Sequence, residues 1–430
     1  MVDPIAATLL LGSFLAFVLL GAPVAIGMAL SAVITTVYVG VPLIVAAQNM
    51  VSAVDSFTFL AVPFFIVAGQ IMSSGGIANR LIKLSNAIIG WMRGGLAMVN
   101  ILASMFFGGI SGSALADTSS IGSILIPMMK KDGYDGDYAT TVTMSSSIQG
   151  LLVPPSHNFI IYAMIAGGVS IARLFLAGLI PGVMLGIALM IYSYVVAVKR
   201  GYPVSQRFRI MAVVEATKQS FLGLMTILII VFGVVTGVFT ATESAAIAAV
   251  WAFVVTFFVY REIPLRAFGG ILIKSLETLA VVMVLVASAG AFGWVIAFLR
   301  IPSALAAAIL SLTTNPFLIL LLVNILLLML GSIMGMSSII VILTPILLPI
   351  VTQIGMHPVH FGVVLILNLG IGLITPPVGG VLFVGSALSG LSIGKLSKSM
   401  LPFYAVMFAV LMLMTYVPGF VMFLPNLILP

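Results

Sequence analysis

Two stretches of sequence share a pattern of glycines and prolines: IPMMKKDGYDGDYATTVTMSSSIQGLLVPP at 126–155 and LPIVTQIGMHPVHFGVVLILNLGIGLITPP at 348–377. Glycines and prolines coincide at one constant offset without a gap: Pro127, Gly133, Gly150, Pro154 and Pro155 match Pro349, Gly355, Gly372, Pro376 and Pro377. Upstream, with small gaps, Gly108, Gly112 and Asn100-Ile-Leu match Gly331, Gly335 and Asn324-Ile-Leu. The chain is therefore predicted to consist of two related halves, 1–220 and 221–430.

The composition places both halves in a membrane. Of 430 residues, 62% are hydrophobic and only 6% are charged, against roughly 25% charged in soluble domains. Apolar runs of about 17 to 25 residues, long enough to cross a bilayer, recur from end to end. The longest polar stretch is 199–218, which leaves no room for a soluble domain that binds ATP or nucleic acid.

The charge and the missing cysteines bear on location and chemistry. The formal net charge is +7, and in a membrane chain basic residues mark cytoplasmic loops rather than a nucleic-acid partner. The absence of cysteine excludes disulfides, thiolate metal sites and cysteine nucleophiles. The N-terminus lacks a basic region and a small-residue cleavage site, so we expect 5–20 to be a retained span.

Apolar runs bounded by glycine, proline or charge predict an all-α polytopic protein with ten crossings. These lie near 5–20, 22–40, 54–74, 138–168, 172–198, 221–238, 243–260, 275–298, 358–390 and 401–424. Two further segments, 95–130 and 316–352, are interrupted by GGISGS (108–113) and GSIMGMSS (331–338) and are predicted to be re-entrant hairpins. Short amphipathic surface helices are expected at 77–94 and 300–315.

The basic residues support this layout, because Lys and Arg gather on the cytoplasmic side. With 199–218 in the cytoplasm, only Arg173 and Arg300 fall outside, and both chain termini lie outside. Interpreting either hairpin as a full crossing would scatter the basic residues over both sides. Each half then holds five crossings and one hairpin, and the odd number of crossings inverts the second half.

Inverted repeats are typical of secondary transporters that work by alternating access. We expect a transport domain from 95–168 and 316–390, with the other spans and the surface helices as scaffold. The alternative is that the repeated glycines and prolines serve only helix packing, as GxxxG pairs do in many membrane proteins.

Chemistry is expected where helices are broken, because free backbone groups in a membrane persist only beside a cavity or a ligand. Freed carbonyls and hydroxyls suit Na⁺, and helix N-termini suit an anion. Two candidate Na⁺ sites follow. The first comprises Ser111, Gly112, Ser113, Ser145, Ser146, Gly150 and Val153; the second comprises Gly335, Ser337, Ser338, Gly370, Gly372 and Thr375. For each hydroxyl the alternative is a bond to its own helix carbonyl.

Substrate contacts are expected from Ser113, Asp117, His157, Asn158 and Gly335. Asp117 follows the first hairpin tip and is predicted to couple ions or contact substrate, because acids at membrane depth are commonly functional. Its alternative role is to cap the hairpin's second helix. Glu243 is interpreted instead as a helix start at the interface.

No catalytic pair or triad can be assembled, and the intramembrane segments contain almost no Lys or Arg. An enzyme is therefore not expected. An anionic substrate would be held mainly by helix dipoles and hydroxyls. No cofactor is expected besides Na⁺ as the coupling ion.

Four stretches carry a family resemblance: AVPFFIVAGQIMSSGGIANRL (61–81), GGISGSALADTSSIGSILIPMM (108–129), GLLVPPSHNFIIYA (150–163) and GVFTATESAAIAAVWA (237–252). They resemble the large membrane subunit of tripartite ATP-independent periplasmic (TRAP) transporters, along almost the whole chain. The resemblance implies import of a carboxylate or sulfonate across the bacterial inner membrane, coupled to Na⁺ by an elevator movement. It also implies two partners, a periplasmic substrate-binding protein and a small four-helix membrane subunit.

One feature departs from the family. At the second hairpin, many members of the family that this chain resembles have a Gly-x-x-x-Asp/Glu pattern. This chain instead has Gly331-Ser-Ile-Met-Gly335. Dicarboxylates, sugar acids and sulfonates all remain open as substrates. The alternative function is a stand-alone ion-coupled carrier that needs no binding protein. A passive channel would leave the inverted halves and the two hairpins unexplained.

Overall fold

A computed structural model of the chain describes residues 3–55, 57–204, 207–313 and 315–429. These residues form twenty α-helices and no strand. The first ten helices are α1 (Pro4–Leu19), α2 (Val24–Val39), α3 (Leu43–Val54), α4 (Ala61–Ser74), α5 (Ile77–Ile89), α6 (Gly95–Ser111), α7 (Ala114–Lys131), α8 (Gly136–Gln149), α9 (His157–Ala166) and α10 (Ile171–Arg200).

The second ten helices follow from residue 210 onward. They are α11 (Ile210–Val235), α12 (Ala241–Val254), α13 (Phe268–Phe298), α14 (Ile301–Leu312), α15 (Pro316–Gly331), α16 (Met336–Gln353), α17 (Pro358–Gly372), α18 (Gly380–Ser389), α19 (Ile393–Tyr416) and α20 (Pro418–Ile428). A π-helical turn, Val255–Tyr260, extends α12.

Helix length alone identifies fewer spans than the sequence predicted. Within the described residues, six helical segments are long and apolar enough to cross a membrane, or seven if the bent pair α4 and α5 counts as one. Five overlap predicted crossings: 171–200, 210–235, 241–260, 265–298 and 393–416. The sixth is α16, the second arm of the predicted second hairpin. The other predicted crossings consist of shorter or broken apolar helices.

Two elements differ from the predicted layout. The helix α3 occupies 43–54, where no element was predicted, and packs closely on α13. A Cβ added to Gly290 would lie 2.5 Å from the Cβ of Ala53, so α13 can approach α3 only with a glycine there. The last predicted crossing, 401–424, is instead two helices, because Pro418 starts α20 directly after α19 ends.

The repeated stretches form the buried centre of the molecule. In α8 every residue from Tyr138 to Gln149 is buried, although seven of these twelve residues are Ser, Thr or Gln. Their hydroxyls bond carbonyls of the same helix, as in Thr140 to Gly136 (2.7 Å) and Thr143 to Ala139 (2.8 Å), which satisfies them without water. The counterpart α17 is buried from Val359 onward.

The helices pack in two groups. The first contains α1 to α4 with α11 to α13, since α12 lies on α4 and α13 lies on α2, α3 and α4. The second surrounds α8 and α17 and contains α6, α7, α9, α15, α16 and α18. The long helices α10 and α19, expected in the scaffold, pack mainly on this second group. The amphipathic α5 contacts both α6 and α11.

Candidate functional site

The first hairpin tip is formed by Ser111, Gly112 and Ser113, between α6 and α7. Gly112 ends α6 in the left-handed conformation (φ 59°) and Ser113 caps α7, its Oγ accepting from the backbone N–H of Ala116 at 3.3 Å. A Cβ on Gly112 would lie only 2.9 Å from Nδ1 of His157. The tip therefore needs glycine both for its turn and for its contact with His157.

The same tip faces the break between α8 and α9. The side-chain amide of Asn158 donates to the carbonyl of Gly112 at 3.3 Å. One turn below the tip, a Cβ on Gly108 would lie 2.1 Å from the Cα of Gly150. The tip and the proline-broken helix thus form one contact surface, which brings together the predicted residues Gly112, His157 and Asn158.

The second half repeats this arrangement. The last residue of α15, Gly331, meets Gly372 at the end of α17, where an added Cβ would lie 2.6 Å from the Gly331 carbonyl carbon. The backbone N–H groups of Val378 and Gly379 both donate to the carbonyl of Ser332 at 3.1 Å. Gly108 with Gly150 and Gly331 with Gly372, matched by sequence, therefore make equivalent contacts.

A cavity of about 780 Å³ lies elsewhere, beside α12 and α13, and four of the predicted residues line a different one of about 520 Å³ at the first tip. Its walls include Ser111, Gly112, Ser113, Pro155 and His157, and Gln70, Ser73, Ser119 and Thr278. Gln70 and Ser73 come from α4 and Thr278 from α13, helices of the first group. No Lys or Arg is among its described lining residues, so the cavity offers hydroxyl, amide and imidazole groups to a ligand.

The cavity residues from α4 and α13 were not predicted. One sequence feature indicates the contribution of α4, namely Ala-Gly-Gln at 68–70 within the quoted 61–81 stretch. Gly69 brings α4 onto the tip, where an added Cβ would lie 3.4 Å from the carbonyl oxygen of Ile110. Four residues later, the hydroxyl of Ser73 lies 3.1 Å from that of Ser120 on α7. This contact joins the two packing groups.

Of the other members of the first predicted Na⁺ site, Gly150 and Val153 meet α6 just below the tip, at Gly108 and Gly109. Ser145 donates to the carbonyl of Thr141 at 2.8 Å, and Ser146 lies 3.1 Å from both Asn100 Oδ1 and Ser104 Oγ. Gly150 and Val153 pack against neighbouring helices. Within the described residues, neither Ser145 nor Ser146 forms a hydrogen bond with Ser111 or Ser113.

In the second predicted Na⁺ site, Gly372 meets Gly331, the last residue of α15. Gly335 caps α16 in an exposed position, and Ser337 and Ser338 lie half-buried in its first turn. Thr375 instead donates to the carbonyl of Ile371 at 2.7 Å. Gly370 packs on the other half, since an added Cβ would lie 2.9 Å from Cγ2 of Ile148. The hydroxyl of Tyr404 bonds the carbonyl of Ile374 beside this break.

A buried polar network that was not predicted occurs in both halves. Asn100 donates to Thr143 Oγ1 at 2.6 Å and accepts from Ser146. In the second half, Asn368 donates to Oδ1 of Asn324 at 2.7 Å. Ser146 and Asn368 occupy matching positions of the repeat, so the constant offset could have identified the pair.

Asp117 lies in the first turn of α7 and is completely buried. The cap of that helix is Ser113, so Asp117 does not fill the capping role. Neither carboxylate oxygen has a hydrogen-bond partner within the described residues, although Ser104 lies beside it. A buried carboxylate without a partner is costly, and either a bound cation or a proton would remove that cost.

Glu243 is confirmed as a helix start. The backbone N–H of Thr240 donates to its Oε2 at 2.8 Å, while the N–H of Glu243 donates to Thr240 Oγ1 at 3.2 Å. This reciprocal pair is a capping box, which satisfies two free donors of α12.

Residues 11–420 match the family model described as "Tripartite ATP-independent periplasmic transporter, DctM component". The chain is 41% identical to the isethionate TRAP transporter permease protein DctMQ of Oleidesulfovibrio alaskensis, over 98% of this chain and 66% of that protein. It is also 41% identical to the sialic acid TRAP transporter large permease protein SiaM of Vibrio cholerae, over 89% of this chain and 90% of that one.

In fold, the chain is similar to the YdaH transporter of Alcanivorax borkumensis, with a TM-score of 0.65 and 13% sequence identity over 87% of each chain. The relatives are permeases rather than enzymes. The match to the family model runs through both packing groups and both hairpin tips. The chain belongs to the DctM component family of tripartite ATP-independent periplasmic transporters.

Proposed function

We propose that this chain is the large permease subunit of a secondary importer for an organic anion in the bacterial inner membrane. A Na⁺ gradient drives the import, and a transport domain carries substrate and Na⁺ across the membrane as an elevator. The fold is that of an elevator-type ion transporter with two inverted repeats, and both termini are periplasmic.

The cavity at the first hairpin tip is the observation that carries this proposal. It lies between the two packing groups, and it is lined by the tip, by His157 and by Gln70 and Thr278 from the other group. Its volume of about 520 Å³ lies within the range of small-molecule sites. A site shared between two bodies is opened and closed when one body moves against the other.

The lining favours an organic anion of modest charge. Hydroxyls, the Gln70 amide, His157 and the N-terminus of α7 offer hydrogen-bond donors without a fixed Lys or Arg. Helix N-termini attract anions through their free N–H groups. The relatives named for isethionate and sialic acid handle a sulfonate and a carboxylate, and both groups suit this donor set.

Na⁺ is proposed to bind at the two hairpin tips. Ser111, Gly112 and Ser113 would supply carbonyl and hydroxyl oxygens at the first tip, and Gly335, Ser337 and Ser338 at the second. Asp117 lies deeper in α7 and would supply a charge for a cation or a proton.

The contact pattern supports a larger moving body than the sequence predicted. Because α10 and α19 pack on α6, α8 and α17, we assign them to the transport domain. The scaffold then comprises α1 to α4 and α11 to α13, with α5 as a surface connection.

The tripartite family and a relative's designation as a large permease support two partners for this chain, a periplasmic binding protein and a small permease subunit. The competing function is a stand-alone carrier, in which this chain would transport without a binding protein. The two are separated by whether uptake requires the added periplasmic protein.

The movement can be tested by joining the two bodies. Ser73 on α4 and Ser120 on α7 have hydroxyls 3.1 Å apart, and the chain has no native cysteine. The pair Ser73→Cys and Ser120→Cys should form a disulfide on oxidation, since the side chains already meet. Uptake into proteoliposomes should then fall at least about tenfold and return with a reductant.

Each single-cysteine variant is the matched control, and its uptake should be the same before and after oxidation. Full uptake by a double variant shown by mass spectrometry to be cross-linked would contradict an elevator movement between these helices.

A further inference from the structure

A polar cavity of about 430 Å³ lies far from the hairpin tips, beside the surface helix α5. It is lined by Asn79, Arg80, Lys83, Lys218, Gln219, Tyr260 and Glu262. The helix axis bends by 70° between α4 and α5, so α5 leaves the direction of the span. Lys218 lies just before the apolar part of α11, and Tyr260 ends the candidate span 241–260. The cavity therefore lies at a membrane–water boundary.

The wall of the cavity is fixed by Arg80. Its Nη1 lies 2.5 Å from Glu262 Oε1, and its guanidinium lies 3.7 Å from the centre of the Tyr260 ring. The Tyr260 hydroxyl in turn donates to the carbonyl of Gln219 at 3.0 Å. Glu262 lies against Gly76, where an added Cβ would overlap its carboxylate. Arg80 is thus paired, and its position joins α5, α11 and the end of α12.

Two further cations in this cavity are not paired. Lys83 and Lys218 are both exposed, and within the described residues neither has an acidic group at ion-pair distance. Glu215 lines the neighbouring cavity with Lys83 but forms no ion pair with it. Three cations therefore face one carboxylate, and the cavity carries an excess of positive charge.

The surroundings indicate which anion would enter. Trp91, just after α5, is 47% exposed and contacts Phe208, as expected of an aromatic residue at headgroup depth. Basic pockets between helices at the membrane surface suit anionic headgroups. We propose that Lys83 and Lys218 bind the phosphate of an anionic phospholipid, whose acyl chains lie along the apolar part of α11. A soluble phosphate would present the same group.

The test measures binding and is independent of transport. The full chain in detergent is titrated with dioleoylphosphatidylglycerol, with dioleoylphosphatidylcholine or with inorganic phosphate, and bound ligand is counted by native mass spectrometry. The variant Lys83→Gln/Lys218→Gln should bind phosphatidylglycerol about 30-fold more weakly, because each basic residue near the surface contributes about 1 kcal/mol. Both side chains are exposed, so the fold is expected to be retained.

The matched control is Lys395→Gln/Lys398→Gln, two exposed lysines of α19 that do not line the cavity, and it should bind like the parent chain. Equal losses in both variants, or no loss in the first, would overturn the proposal. Displacement of the lipid by inorganic phosphate at equal concentration would assign the site to soluble phosphate. Unchanged lipid binding with lost association of the small subunit would identify a protein interface and overturn it.

Discussion

Gly112→Ala is expected to lower substrate uptake by at least tenfold. Gly112 holds the tip at φ 59°, and the left-handed conformation costs a non-glycine residue about 1–2 kcal/mol. The added methyl group would also lie 2.9 Å from His157 Nδ1 and 3.3 Å from its backbone N. The tip must then move off the broken helix, which separates the residues lining the cavity. Uptake into proteoliposomes measures the effect.

The control variant Gly133→Ala separates the cost of the left-handed backbone from the contact with His157. Gly133 has φ 87° in the loop after α7 but has open space where a Cβ would lie. The variant Gly133→Ala should therefore lose some thermal stability and transport at the parent rate. If Gly112→Ala is monodisperse and transports at the parent rate, the contact between the tip and His157 is not part of the mechanism.

Asp117→Asn is expected to change the cation or pH dependence of uptake while leaving the protein folded. The carboxylate is fully buried and has no hydrogen-bond partner within the described residues. An uncompensated buried charge destabilises a protein by about 3–5 kcal/mol. A bound cation or a proton would remove this penalty, whereas asparagine cannot respond to either. Uptake measured against Na⁺ concentration and pH should therefore lose its dependence on one of them.

Thermal unfolding gives a second readout. In Na⁺-free buffer Asp117→Asn should unfold at the same or a higher temperature than the parent chain, and added Na⁺ should stabilise the variant less. The control Asp55→Asn alters an exposed acid at the end of α3 and should leave both profiles unchanged. If Asp117→Asn and the parent chain have identical uptake and unfolding profiles, the carboxylate contributes only to packing.

The sequence predicted most of what depends on local breaks in helices. The hairpin arms expected within 95–130 and 316–352 are α6 with α7 and α15 with α16, because glycine and serine clusters interrupt apolar runs at both tips. Pro418 shows how a local signal can be missed: the apolar residues continue past it, and the two helices were predicted as one. The short α3 was missed because its 12 residues are too few for a span.

The predicted site was less complete, because a hydroxyl's partner depends on the fold. Ser145 and Thr375 bond carbonyls of their own helices, and their sequence positions do not distinguish this from ion binding. Gln70 and Thr278 reach the cavity from helices distant in the chain, which periodicity cannot bring together. The resemblance indicated the family, while the structure placed the cavity.

Na⁺-coupled tripartite import is tested by the uptake of a radiolabelled organic anion into proteoliposomes. The vesicles contain this chain with a small permease subunit, and a cognate binding protein is added outside. Uptake is compared with and without an inward Na⁺ gradient. We predict accumulation only when the gradient, the small subunit and the binding protein are all present. Uptake by this chain alone, or equal uptake without a Na⁺ gradient, would contradict a Na⁺-coupled tripartite importer.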